Sequence, residues 1–121
     1  MAGASQGFHE DESRLSPRTR DLHRALVSLQ EELEAIDWYQ QRADASEDPE
    51  LRQILEHNRD EEKEHAMMLL EWIRRHDVVF ARMIRLHTSH AGPIVSGEES
   101  EEAAGEADVE QKASKGEREE R

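Results

Sequence analysis

The chain has 121 residues, a formal net charge of −13 and no cysteine. That length holds one domain, and the acidic balance argues against nucleic acid, whose phosphates it would repel. With no thiolate available, any metal must sit on Glu, Asp or His, donors that suit Fe, Mn, Zn or Mg. Charged residues make up 37% of the chain and apolar residues 35%, so little material is available for a core. No apolar run approaches the roughly 20 residues needed to span a bilayer. Met1 to Glu12 lacks the basic start and apolar stretch of a secretory signal, and none is expected.

Residues 1–15 are rich in Gly, Ser and charge, are aperiodic, and read as a disordered segment. Residues 16–91 form the folding domain. Ser16 is placed to cap a first helix, with Pro17 at its first position, where a missing N–H costs nothing. Leu22, Leu26, Leu29, Leu33, Ile36 and Ala43 then recur at steps of three, four or seven, the period of an amphipathic helix. Asp44-Ala45-Ser46-Glu47-Asp48-Pro49 breaks the pattern, and Asp48 with Pro49 opens a second helix. Its stripe runs Leu51, Leu55, Asn58, Glu62, His65, Leu69, Trp72 and His76. The short loop makes the two helices antiparallel neighbours. A third, shorter helix is expected from Val78 to Leu86, and its apolar residues need cover at an interface. Gly92-Pro93 stops any continuation. Residues 92–121 hold ten acidic against four basic residues and read as a disordered acidic tail.

A two-helix hairpin is too thin to keep water from its own seam. Chains of this size need a partner, a metal or a staple, and cysteine staples are absent. Association is therefore expected.

The chemistry lies in Asn58-Arg59-Asp60-Glu61-Glu62-Lys63-Glu64-His65. Glu62 and His65 leave one helix face one turn apart, so one metal ion can take an oxygen and an imidazole nitrogen from both. They also lie on the apolar stripe, where an unpartnered carboxylate is costly. Glu-x-x-His alone is an ordinary pair on a charged helix; its position and its match with helix one give it weight. Glu32 lies beside the seam of helix one, fourteen residues before Ser46, and Glu62 sixteen after it. At ~1.5 Å per residue both stand roughly 21–24 Å from the turn, at nearly the same level. Carboxylate di-metal sites in four-helix bundles take one Glu from each of two helices and Glu-x-x-His from each of the other two. A two-fold dimer of this hairpin supplies that set. Its two Glu32 and two Glu62 carry four negative charges, which two Fe²⁺ ions neutralise.

Ser28-Leu29-Gln30-Glu31-Glu32-Leu33-Glu34-Ala35-Ile36-Asp37-Trp38-Tyr39 and Asn58-Arg59-Asp60-Glu61-Glu62-Lys63-Glu64-His65-Ala66-Met67-Met68 closely resemble the encapsulated ferritins, over roughly Leu22 to His90. The resemblance implies a ferroxidase acting on Fe²⁺, with a di-iron site of two Fe per dimer at a two-fold interface. Its ligands would be Glu32, Glu62 and His65, with Tyr39 close by. Among these we take Glu62 as the bridging carboxylate and Glu32 and His65 as terminal ligands. The resemblance further implies a secondary metal-attracting site at Glu31 and Glu34, for Ca or another divalent cation, with Trp38 on the entry path. The implied assembly is a homodimer and a decamer, a ring of five dimers, inside an encapsulin shell in the cytoplasm, where the shell stores the mineral. Such proteins end in a short apolar docking peptide; Lys115-Gly116-Glu117-Arg118-Glu119-Glu120-Arg121 departs from it.

The expected fold is thus all-α: an antiparallel two-helix hairpin plus a short third helix, dimerising into a ferritin-like four-helix bundle. Two other readings predict different chemistry. One is a metal-binding module in which Zn or Ca only staples the dimer. The other is a structural helical adaptor without metal. Without the resemblance, Glu31 and Glu34 read as a solvated face, Trp38 and Trp72 as interface anchors, and Met67, Met68 and Met83 as core or interface filler. His57, His76, His87 and His90 show no ligand spacing with each other.

Overall fold

The computed structural model describes residues 7–95, and every regular element among them is helical. A 3₁₀ helix at Glu12–Arg14 precedes α1 (Pro17–Ala45), α2 (Pro49–His76) and α3 (Val78–His87). Residues 1–6 and 96–121 lie outside the described residues, and with them six of the fifteen residues of the first segment read as disordered and all but four of the second.

The caps act as the sequence indicates. Ser16 Oγ accepts from Thr19 N at 3.1 Å and Pro17 follows at the first helical position. Asp48 Oδ1 accepts from Leu51 N at 2.9 Å ahead of α2. Asp77 Oδ1 accepts from Phe80 N at 2.8 Å ahead of α3. Each side chain satisfies a backbone donor that the first helical turn leaves free. The short 3₁₀ helix is held the same way, with Asp11 accepting from the Ser13 backbone at 3.0 Å. Those bonds keep the Asp11 carboxyl below its ordinary pKa.

The described residues divide into two units between His76 and Asp77. The first is the hairpin, whose long helices pack along their length. Its buried residues are Ala25 and Ala43 on α1 and Ala66 and Ile73 on α2. Three of the four are alanines, and small side chains at a helix contact let the axes approach. Ile73, in the last turn of α2, is the one large side chain of the hairpin among the described residues that is fully buried. It does not belong to the expected stripe. Leu33 and Leu51, which do, are 52% and 48% exposed. A hairpin covers only one strip of each helix, so apolar residues to either side of that strip stay open. Met67 and Met68 are exposed as well, and so are not core of the hairpin.

Polar ties cross between α1 and α2 at three heights. Arg18 Nη2 donates to the His76 carbonyl at 2.7 Å near the open end. Arg59 Nη1 donates to Gln40 Oε1 at 2.9 Å in the loop-proximal half. Arg52 and Asp44 form a looser ion pair at 3.9 Å near the loop.

In the second unit α3 is the most apolar of the helices. Leu86 is fully buried, while Val78 and Val79 at its start are exposed. Gly92 follows with φ +96°, a left-handed conformation that glycine adopts without steric cost. Among the described residues no helix is long and apolar enough to cross a membrane.

Candidate metal centre

Glu32 comes from α1, and Glu62 and His65 come from α2. The antiparallel loop sets them at one height, and the three-residue step puts both α2 ligands on the face turned to α1. The three side chains offer one ligand atom each within 4.8 Å of one another. His65 Nδ1 lies 3.5 Å from Glu32 Oε2 and 3.5 Å from Glu62 Oε2. Those separations are too long for hydrogen bonds but suit donors arranged around a common ion. Glu32 and Glu62 are mostly covered, and His65 is more open, at 43% exposure.

Glu32 Oε2 is buried and accepts no hydrogen bond. A buried carboxylate oxygen without a donor is costly and calls for a proton or a cation. Two carboxylates and an imidazole are the donors that Fe²⁺, Mn²⁺ or Zn²⁺ takes. The residues present therefore fit a divalent ion, on geometry and on the orphaned oxygen. Among the described residues this is the one group of three such side chains placed to hold a metal.

The remaining candidate residues lie outside that trio. Glu31 is exposed and Glu34 is half-buried on α1. Trp38 is 48% exposed. The Arg42 guanidinium lies over the Trp38 and Tyr39 rings, 5.9 and 5.5 Å from their centroids, at cation–π distance. Tyr39 stands two turns along α1 from Glu32, about 10 Å by helical rise. His57 pairs with Glu61 at 3.6 Å on an exposed face.

One set of residues close to the trio was not singled out from the sequence. Arg59 joins Gln40 on α1 to Asp60 on α2, with Nε 3.0 Å from Asp60 Oδ1, and Lys63 Nζ reaches the same oxygen at 3.3 Å. The bond from Arg59, and then that from Lys63, hold the Asp60 carboxyl below its usual range, and Asp60 raises Arg59 in return. The available signal was the spacing of Arg59 to Glu62, three residues apart on one face.

A family model described as EncFtn-like matches residues 7–90. The chain belongs to the EncFtn-like family. Its relatives include an "Encapsulated ferritin-like protein" of Rhodospirillum rubrum, 54% identical over 103 residues, which cover 85% of this chain and 74% of that one. A "Ferritin-like protein" of Thermotoga maritima is 49% identical, over 76% of this chain and 81% of its own length. An "Encapsulin nanocompartment cargo protein EncC" of Myxococcus xanthus is 34% identical, over 58% and 54% respectively. A crystal structure of a Nitrosomonas europaea protein matches with a TM-score of 0.70 and 56% identity, over 73% of this chain and 97% of that one. The EncFtn-like chain thus has the helical ferritin-like fold, and the resemblance read from its two motifs is the correct one.

Proposed function

We propose that the protein is a ferroxidase that binds Fe²⁺ between two copies of the chain, oxidises it to Fe³⁺ with dioxygen as electron acceptor, and passes it on for mineral storage. The observation that carries this reading is the trio of Glu32, Glu62 and His65, in which a buried Glu32 oxygen has no donor. One chain offers three ligands, half of the set that a carboxylate di-metal bundle uses, and a two-fold copy supplies the other half. Carboxylates favour the higher charge of Fe³⁺ over Fe²⁺, which lowers the cost of giving up the electron. His65 binds as a neutral imidazole and, at a more open position than the two glutamates, faces the route by which iron arrives. Glu31 and Glu34 draw cations toward that route, Trp38 narrows it, and Tyr39 stands near the site.

The relatives named as encapsulated and as nanocompartment cargo support a place inside an encapsulin shell. The assembly proposed there, a ring of five dimers, is the one that the motif resemblance implies. Aerobic Fe²⁺ titration followed by ultraviolet absorbance tests the reading. Turnover in the parent that disappears in His65→Ala supports it. Fe²⁺ binding without oxidation would instead make the ion a staple between two chains.

A further inference from the structure

Arg59 shares the α2 face with the metal ligands. It precedes Glu62 by three residues, a spacing that sets two side chains one turn apart on one face. Its side chain is 20% exposed, much like the neighbouring glutamates. A guanidinium so placed has a ready partner in the Glu62 carboxylate, because Arg–carboxylate pairs at this spacing are favourable and can fork over two oxygens. The structure sends it elsewhere. Nη1 donates to Gln40 Oε1 at 2.9 Å, and Nε and Nη2 donate to the Asp60 carboxylate at 3.0 and 3.4 Å. Both acceptors are themselves held: Gln40 Nε2 donates to Asp44 at 3.3 Å, and Lys63 donates to Asp60 at 3.3 Å. Gln40 lies eight residues nearer the loop than Glu32, about 12 Å along α1. The guanidinium therefore points down the hairpin, away from the trio, while Glu32 Oε2 stays without a donor.

We propose that Gln40 and Asp60 are positioning residues for the metal centre: together they hold the Arg59 guanidinium toward the loop and off Glu62 and Glu32, leaving both carboxylates open to a divalent cation. The proposal rests on the reading of Glu32, Glu62 and His65 as metal ligands. A guanidinium and a metal ion compete for the same carboxylate lone pairs. Released from its two acceptors, Arg59 needs only side-chain rotation to reach Glu62. The rest of the fold need not change, so the effect falls on metal affinity and not on helix content.

Titration of the full chain with Co²⁺ alone, followed calorimetrically, provides the test. Combining Gln40→Ala with Asp60→Asn should weaken Co²⁺ binding about tenfold, and adding Arg59→Gln should restore it, whereas Arg59→Gln in the parent should change it less than about threefold; this difference between backgrounds is the coupling a positioning role requires. Equal binding by the parent and the combined variant overturns the proposal. So does an equal effect of Arg59→Gln in both backgrounds, since lost charge or packing then explains the change. If the combined variant loses its far-ultraviolet helical signal, Gln40→Ala alone carries the same cycle. His65→Ala separates the two layers. If it binds Co²⁺ as tightly as the parent does, the ligand assignment fails and this proposal with it. If it binds weakly and the Arg59 coupling is absent, the proposal alone fails.

Discussion

The His65 imidazole reaches from α2 to within 3.5 Å of the Glu32 carboxylate on α1, and it stands equally far from Glu62. One ring nitrogen thus faces two carboxylates, on two helices, at a single height. Removing it takes away one neutral ligand and leaves every negative charge in place. Removing either glutamate takes away a ligand and a charge. All three alanine variants should lose most Fe²⁺ oxidation, by tenfold or more on the order expected for a missing ligand. They should differ in apo association, where Glu32→Ala and Glu62→Ala should pair more readily than His65→Ala. Oxidation rates beside light scattering on metal-free samples check both halves. Parental oxidation by His65→Ala would undo the site assignment.

Association itself should depend on metal. Two copies facing each other across this site would bring four carboxylates together, and the two neutral His65 rings add no charge to offset them. Anything that binds the assembled state and not the free chain stabilises the assembly by mass action. Chelated protein at micromolar concentration should therefore elute mainly as monomer, and added Fe²⁺ under anaerobic conditions should shift it to larger species. Chelated protein that is already fully assembled would contradict this.

Much of this geometry was legible in the sequence, for a physical reason. Ser16 with Pro17 and Asp48 with Pro49 fix where two helices start, and counting residues from the loop at a constant rise puts Glu32 level with Glu62. Such readings need only local chemistry and helix arithmetic. What was not legible depends on how each helix rotates about its axis when it meets the other. Ile73 is buried and Leu33 half-exposed because the α1–α2 contact chose one strip out of a broad apolar face. Arg59 is the second case. Its long side chain could have served Glu62, Asp60 or a group on α1, and only the packed hairpin shows that Gln40 lies within reach.

Ile73 should accordingly be the most sensitive apolar position of the hairpin. Its side chain is fully buried, and truncation removes buried methyl groups and leaves a cavity that the surrounding structure closes only partly. Ile73→Ala should cost about 3 kcal/mol in urea unfolding, within the range for such truncations. Met67→Ala, at a 56% exposed position on the same helix, should cost under about 0.5 kcal/mol in the metal-free protein. A reversed order would mean that the α1–α2 contact is not where the stability resides.

Acid should act on the last turns of α2. Glu71 pairs with Arg74 through a short hydrogen bond and with Arg75 at 3.1 Å, and these bonds lower its pKa from 4.5 to about 2. The folded chain therefore holds this carboxylate ionised where the unfolded chain would protonate it. Stability from the pair is fully present above about pH 4.5 and is lost as pH falls toward about 2. The group is solvent-exposed, so the effect is modest. Thermal unfolding of the parent and Glu71→Gln should show a parental advantage above pH 5 that shrinks steadily in acid. Parallel curves across that window would mean the pair contributes nothing.

Glu31, Glu34 and Trp38 should govern how fast iron arrives and not what happens to it. Glu31 and Glu34 are three residues apart and share a face of α1, which Trp38 continues one turn on. Relative to Glu32 they lie about 100° and 200° around the helix, so they do not point with it into the trio. Glu31 is exposed, and Trp38 is half-exposed beneath the Arg42 guanidinium. An acidic pair at that position raises the local concentration of cations, and a bulky ring beside it slows their passage. Combining Glu31→Ala with Glu34→Ala should slow iron uptake at low Fe²⁺ and leave the rate at saturating Fe²⁺ nearly intact. Trp38→Ala should speed uptake or leave it unchanged. Rates must be normalised to assembled protein, because residues that only pack between chains would change assembly and not the rate per site. A crystal of the double variant grown with Fe²⁺ gives the second measurement. Iron at Glu32, Glu62 and His65 there keeps the acidic pair outside the catalytic set, and an empty site would move Glu31 and Glu34 into it.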